Sequence, residues 1–193
     1  MTDRHPQKAR RNLLGGGLLL SGAAVTLLAG CQMPAEAGKA DSAAEDAKLL
    51  NAALALEYEA IFAYQAGAES GLLSPGELEV ALLFQGHHKR HRDLLIRTVE
   101  RLGATPVAPE ADALYADRLE LNLLASARDV LTLARGLELG AADAYIAVLP
   151  RFSDPLFGQF SARIAADEVM HWTALSQALG QPLPEAALTF GAS

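Results

Sequence analysis

The sequence contains an internal repeat, and this repeat decides the fold. Residues 56–66 read LEYEAIFAYQA and residues 137–147 read LELGAADAYIA, and the two stretches align without a gap. They share Leu-Glu, then Ala, then Ala-Tyr, then Ala. The spacing also repeats downstream, because His88 follows Glu57 by 31 residues and Glu168 follows Glu138 by 30. The sequence therefore predicts two similar halves related by a pseudo-two-fold axis.

The residues around the repeat predict four long helices. Helical patterns rich in Ala and Leu cover residues 44–69, 75–102, 119–149 and 155–179. Ser74-Pro75 and Asp154-Pro155 each place a capping residue before a proline, which is typical of a helix start. Gly103 and Gly180 follow the second and fourth patterns, as expected at helix ends.

The lengths of the links predict how the helices are connected. A few residues join the first helix to the second and the third to the fourth, so each pair should form an antiparallel hairpin. About fifteen residues, including Pro106 and Pro109, separate the second and third helices, which is enough extended chain to run the ~40 Å length of a helix. We therefore expect an all-α four-helix bundle over residues 45–180, with parallel second and third helices, followed by a C-terminal tail over 181–193.

Composition and charge restrict the class of protein. The chain has 193 residues, of which 51% are apolar, and a formal net charge of −7. This length suits one packed domain, and the negative charge argues against a nucleic-acid partner. The single cysteine excludes an intramolecular disulfide and any site that needs several cysteines.

The N-terminus predicts an export signal over residues 1–30. Basic residues precede an apolar run over 13–30, and Arg10-Arg11 resembles the signal read by the twin-arginine export machinery. Residues 28–31, LAGC, resemble a lipobox, which implies cleavage before Cys31 and a lipid on its sulfur. We therefore expect a protein of the cell envelope, periplasmic or otherwise extracytoplasmic, that is anchored to the membrane by its N-terminal lipid. Residues 31–44 would be a flexible tether.

Two other interpretations of the N-terminus remain open. The apolar run could be an uncleaved anchor, although about 18 residues with several glycines is marginal for a span. Alternatively, cleavage after Ala37 would release a soluble protein.

The paired motifs resemble those of the ferritin-like superfamily, in particular its exported bacterial branch, over residues 45–180. That resemblance implies a di-metal site with one Glu from each of two helices and a Glu-x-x-His from each of the other two. On this basis Glu57 and Glu138 match the single carboxylates. Glu168 and His171 match one complete Glu-x-x-His, and His91 matches the histidine of the other.

His88 departs from the family pattern, because it stands where the family has a second bridging Glu. The change removes one negative charge and one bridging group from the half that contains Glu57 and His91. The site could then hold one iron, a zinc or manganese ion, an incomplete di-iron centre, or no metal. We predict at most one tightly bound metal ion per chain.

Neighbouring residues allow further interpretations. Tyr64 and Tyr145 lie two turns from the glutamates, where they could fill the core or donate a hydrogen bond to a ligand carboxylate. His87 and His91 are spaced i,i+4 and could clamp a zinc ion by themselves. The run over residues 87–92 could equally be a solvated basic face, or a patch for an anion or an acidic lipid headgroup.

Two functions follow from these features. The first is an exported metalloprotein that binds iron or a related metal in the bundle core, where such a metal could support oxidase or peroxide-handling activity. The second is a metal-free ferritin-like module of the envelope with a binding or stress-related role. Neither the oligomeric state nor a catalytic residue can be assigned from the sequence.

Overall fold

The computed structural model of the protein describes residues 38–191. Within them it contains five α-helices and no strand. The helices are α1 (Gly38–Glu69), α2 (Pro75–Arg101), α3 (Asp112–Arg118), α4 (Ala127–Val148) and α5 (Pro155–Ala178). The export signal with Arg10 and Arg11, the lipidation site Cys31 and the first part of the tether lie outside the described residues.

The four long helices form two antiparallel hairpins, α1–α2 and α4–α5. The order of contacts between α1 and α4 gives their direction, because Tyr64 contacts Glu138 while Glu57 contacts Tyr145. Since α1 is antiparallel to both α2 and α4, α2 and α4 run parallel. This confirms the predicted all-α bundle of two hairpins joined by a long crossover.

Local capping explains why two of the helices begin where they do. The Ser74 hydroxyl accepts a hydrogen bond from the Glu77 backbone N–H at 3.4 Å, and the Glu77 carboxylate accepts one from the Ser74 N–H at 2.7 Å. This is a capping box with Pro75 in the first turn. Asp154 caps α5 by accepting a hydrogen bond from the Leu156 N–H at 2.8 Å.

The predicted start of the third long helix at Leu119 is wrong, because α4 begins at Ala127. Glu120 has a φ of 50° in the left-handed region, which interrupts any helix there. Ser126 then caps α4 by accepting a hydrogen bond from the Asp129 N–H at 3.3 Å. The crossover also contains α3, which the sequence did not predict. Tyr115 of α3 is buried in a cluster with Ala63 of α1.

Two apolar clusters fill opposite ends of the bundle and leave a polar layer between them. One cluster contains Leu50, Leu95 and Ile164, and the other contains Phe84 and Leu175. Among residues 38–191 we find no helix with the length and apolar character needed to cross a bilayer.

Candidate metal centre

The polar layer contains the five residues that the resemblance matched to metal ligands, together with His88, the sixth candidate ligand. Each of the four long helices contributes at least one, and every one is at most 7% exposed. They form two overlapping groups whose donor atoms lie within 4.8 Å of one another. The first group is Glu57, His88, His91 and Glu168, and the second is His88, Glu138, Glu168 and His171.

Glu168 lies between the two groups and presents one oxygen to each. Its Oε1 is 3.2 Å from His91 Nδ1, and its Oε2 is 3.3 Å from His171 Nδ1. Neither oxygen has a hydrogen-bond partner, and both are buried. Burial disfavours ionisation and raises the pKa of the Glu168 carboxyl, although His171 and His91 oppose this shift. Glu168 is therefore the carboxylate that the two groups share.

The sequence placed His88 in the half that contains Glu57, but the structure shows that both groups share it. Its Nδ1 is 2.9 Å from Glu57 Oε2, and its Nε2 is 3.2 Å from Glu138 Oε1. When Glu57 and Glu138 are both ionised they only accept hydrogen bonds, so both ring nitrogens then carry hydrogen and the ring is an imidazolium. Burial opposes the charge, but the hydrogen bonds to Glu138 and Glu57 raise the pKa of His88 well above its usual range.

The carboxylates and the other two histidines are also electrically paired. Burial works against ionisation of Glu57 and Glu138, yet hydrogen bonds from the histidines lower the pKa of both carboxyls. Burial likewise opposes the charged form of His91, while Glu168 and Glu57 raise its pKa to about 10. The pKa of His171 is raised in the same way by Glu138 and Glu168.

Two tyrosines hold the single carboxylates from across the bundle. Tyr64 of α1 donates its hydroxyl hydrogen to Oε1 of Glu138 on α4. Tyr145 of α4 donates to Oε1 of Glu57 on α1 at 2.5 Å. Burial and the adjacent carboxylates raise the pKa of both phenols, so each remains a donor. The structure thus shows that both tyrosines donate a hydrogen bond to a buried carboxylate, and that each carboxylate lies on the opposite hairpin.

The outer nitrogens of His91 and His171 have different partners, neither of which the sequence identified. His91 Nε2 is 3.1 Å from Asp167 Oδ2, and His171 Nε2 is 2.9 Å from His87 Nδ1. The repeat contained a signal for Asp167 and His87. These two residues directly precede Glu168 and His88, which align with each other in the repeat. The rings of His87 and His91 face different partners, which does not support a zinc clamp formed by this pair. His88 and His91 are buried, so the run over 87–92 is not simply a solvated face.

The donors fit a metal ion of the kind that ferritin-like bundles hold. Carboxylate oxygens and imidazole nitrogens suit iron, manganese and zinc. The unpartnered buried atoms include His91 Nδ1 and both oxygens of Glu168, and a bound ion would satisfy them. With Nε2 of His91 donating to Asp167, loss of the hydrogen on Nδ1 would leave that nitrogen as a ligand facing Glu57 and Glu168.

Comparison with known proteins places the chain in a family. A search of curated proteins gave no significant match. A crystal structure of a conserved hypothetical protein, rv2844, from Mycobacterium tuberculosis is similar at 25% identity and a TM-score of 0.60, over 76% of this chain and 99% of that one. The model of the ferritin-like domain matches residues 45–181. The chain therefore belongs to the ferritin-like domain family.

Proposed function

We propose that this protein binds a single transition-metal ion between its two hairpins, and that this ion is iron. The observation that carries the proposal is that three donor atoms of the polar layer, His91 Nδ1 and both oxygens of Glu168, are buried without hydrogen-bond partners. Zinc and manganese use similar donors and are the alternatives. A bound iron ion would supply redox chemistry with oxygen or peroxide.

The residues have distinct roles in holding such an ion. Glu168 would offer one oxygen to each of the two donor groups. Glu57 would supply a second carboxylate to the first group, and Glu138 would supply one to the second. Tyr64 and Tyr145 hold these two carboxylates in place by hydrogen bonds from the opposite hairpin. His91 and His171 would present an unprotonated Nδ1 to the ion, with the ring hydrogen on Nε2.

A specific observation also favours a second function, that of a metal-free binding or structural module. The His88 ring, when protonated, supplies a positive charge between Glu57 and Glu138, to which it is hydrogen-bonded. If His91 and His171 are also protonated, three positive rings balance the three carboxylates and the buried charge is neutral. His88 would become a ligand only after losing a proton, so metal ions and protons compete for this site.

Elemental analysis of the purified chain separates the two functions. We expect about one metal ion per chain in the wild-type protein after loading with iron, manganese or zinc. Glu168→Gln should lose most of it, because the substitution removes the bridging carboxylate. The matched control is Glu100→Gln, at an exposed position near the end of α2, which should keep its metal. A wild-type protein that remains metal-free under all three conditions would favour the metal-free module.

The proposed location is the cell envelope, reached by the twin-arginine route and held by a lipid on Cys31. Support comes from the basic pair Arg10-Arg11, the apolar run and the lipobox-like LAGC. Replacing both arginines by lysine should leave the protein in the cytoplasm, and Cys31→Ser should release it from membranes. Unchanged membrane association in Cys31→Ser would rule out the lipid anchor, and a mature N-terminus at Gly38 would support cleavage after Ala37 instead.

A further inference from the structure

We propose that the bundle contains a binding pocket for an uncharged molecule with an alkyl chain of about ten carbons. A cavity of about 290 Å³ lies at the end of the bundle where α1 turns into α2. All four long helices line it, together with Leu73 from the α1–α2 turn and Leu124 from the crossover. The inference goes beyond the proposed metal binding and does not depend on it.

The cavity exists because small residues face it. Seven of its lining residues are glycine or alanine: Ala63, Gly67, Gly76, Ala81, Ala134, Ala174 and Ala178. Larger apolar side chains, such as Leu175 and Val130, complete the wall. A cavity lined in this way gives water few hydrogen-bond partners, and comparable apolar cavities stay dry and take up apolar molecules. Burying an alkyl chain here would remove its apolar surface from water.

The size of the cavity indicates the length of its ligand. An apolar cavity of about 150 Å³ accommodates benzene, and this one is about twice as large. Along α2 the lining extends from Gly76 to Phe84, which is about 12 Å of helix. Volume and length together suit a single chain of about ten carbons.

Charge at the outer end selects against a fatty acid. Glu77 is the one charged residue among those that line the cavity, and it lies in the exposed first turn of α2. Hydrogen bonds from Ser74 lower the pKa of the Glu77 carboxyl, so it is ionised at neutral pH. A carboxylate headgroup at this end would be repelled, and the lining offers no lysine or arginine to pair with it. A neutral polar end, such as an alcohol, meets no such penalty.

The inner end of the pocket lies against the polar layer that contains the candidate metal ligands. Tyr64 and Phe84 form this part of the lining, and both are buried. Tyr64 donates a hydrogen bond to Glu138, and the Phe84 ring stacks on His171 with centroids 4.1 Å apart. A chain filling the pocket would thus end one layer of side chains away from the candidate metal ligands.

Calorimetric titration of the purified, metal-free protein with 1-decanol and with decanoate tests the proposal. We expect saturable binding of one decanol per chain and at least tenfold weaker binding of decanoate. Ala134→Leu fills the cavity from α4 and should abolish decanol binding. The matched control is Ala147→Leu, at an exposed position on the same helix, which should bind as the wild type does. Glu77→Gln should bring the affinities for decanoate and decanol together.

Each outcome decides a part of the proposal. Absence of saturable decanol binding to the wild-type protein, or undiminished binding to folded Ala134→Leu, would overturn the pocket. If Ala134→Leu fails to fold, Ala81→Leu narrows the cavity from α2 and replaces it. Equal binding of decanoate to the wild-type protein would refute the selection by charge. Repeating the titration with metal-loaded protein separates this pocket from the metal centre, since metal-free protein must bind decanol even if no metal ever binds.

Discussion

Replacing His88 by glutamate is expected to raise the number of metal ions bound per chain from one toward two. His88 lies between Glu57 and Glu138, 2.9 Å and 3.2 Å from their oxygens, and its aligned partner in the second hairpin is Glu168. Glutamate at this position would add a fourth carboxylate and a second bridge. Four negative charges balance two divalent ions, whereas three do not.

The same substitution should make the metal-free protein much less stable. It removes the imidazolium that pairs two buried carboxylates and adds another buried carboxylate, and breaking a buried ion pair costs about 3–5 kcal/mol. At about 2–4 °C per kcal/mol for a domain of this size, the Tm of the metal-free variant should fall by about 6–20 °C. Each ion supplied at a hundred times its Kd restores about 2.7 kcal/mol, so two ions would recover the loss.

The assay is elemental analysis after loading and gel filtration, paired with thermal melting with and without metal. Gln177→Glu is the control, because it adds one negative charge at an exposed position of α5 and should change neither measurement. The reasoning is refuted if the wild-type protein already carries two ions. It is refuted equally if folded His88→Glu binds no more metal than the wild type.

Three further predictions concern the polar layer and the crossover. Tyr145→Phe should lower the free energy of unfolding by about 1.5–3 kcal/mol in urea, because the buried Glu57 carboxylate loses its hydroxyl donor; an unchanged midpoint would contradict this hydrogen bond. In the metal-free protein, burial lowers the pKa of His91, but the stronger effect of Glu168 and Glu57 raises it to about 10. The stability contributed by charged His91 is therefore complete below about pH 6.5 and is lost as the pH rises through about 10. His91→Gln should flatten that part of the stability profile, and an identical profile in the variant would show that another group is responsible. Ser126→Ala should lower the free energy of unfolding by about 1 kcal/mol, because it removes the N-cap of α4; if α4 began at Leu119 instead, the change would have almost no effect.

Some features of this protein follow from short stretches of sequence, because neighbouring residues alone determine them. Ser74-Pro75 and Asp154-Pro155 begin helices where the sequence predicted, since a cap and a proline act on backbone groups within one turn. The spacing of Glu168 and His171 places both on one helix face for the same local reason. The repeat then related the two hairpins, and the resemblance to the ferritin-like superfamily assigned the candidate ligands within them.

Other features depend on residues that are far apart in the chain, so only the tertiary structure decided them. The helical pattern continues through residues 119–126, but Glu120 adopts a left-handed φ of 50° there and α4 begins only after Ser126. The preceding helix α3 packs Tyr115 against Ala63 of α1. The hydrogen bond between Tyr145 and Glu57 joins positions 88 residues apart, and no local pattern encodes which hairpin a hydroxyl reaches. The position of His88 between Glu57 and Glu138 likewise depends on residues that are 31 and 50 positions away in the chain. Helical periodicity specifies which face of a helix is buried, whereas the packing of the four helices decides which side chains meet there.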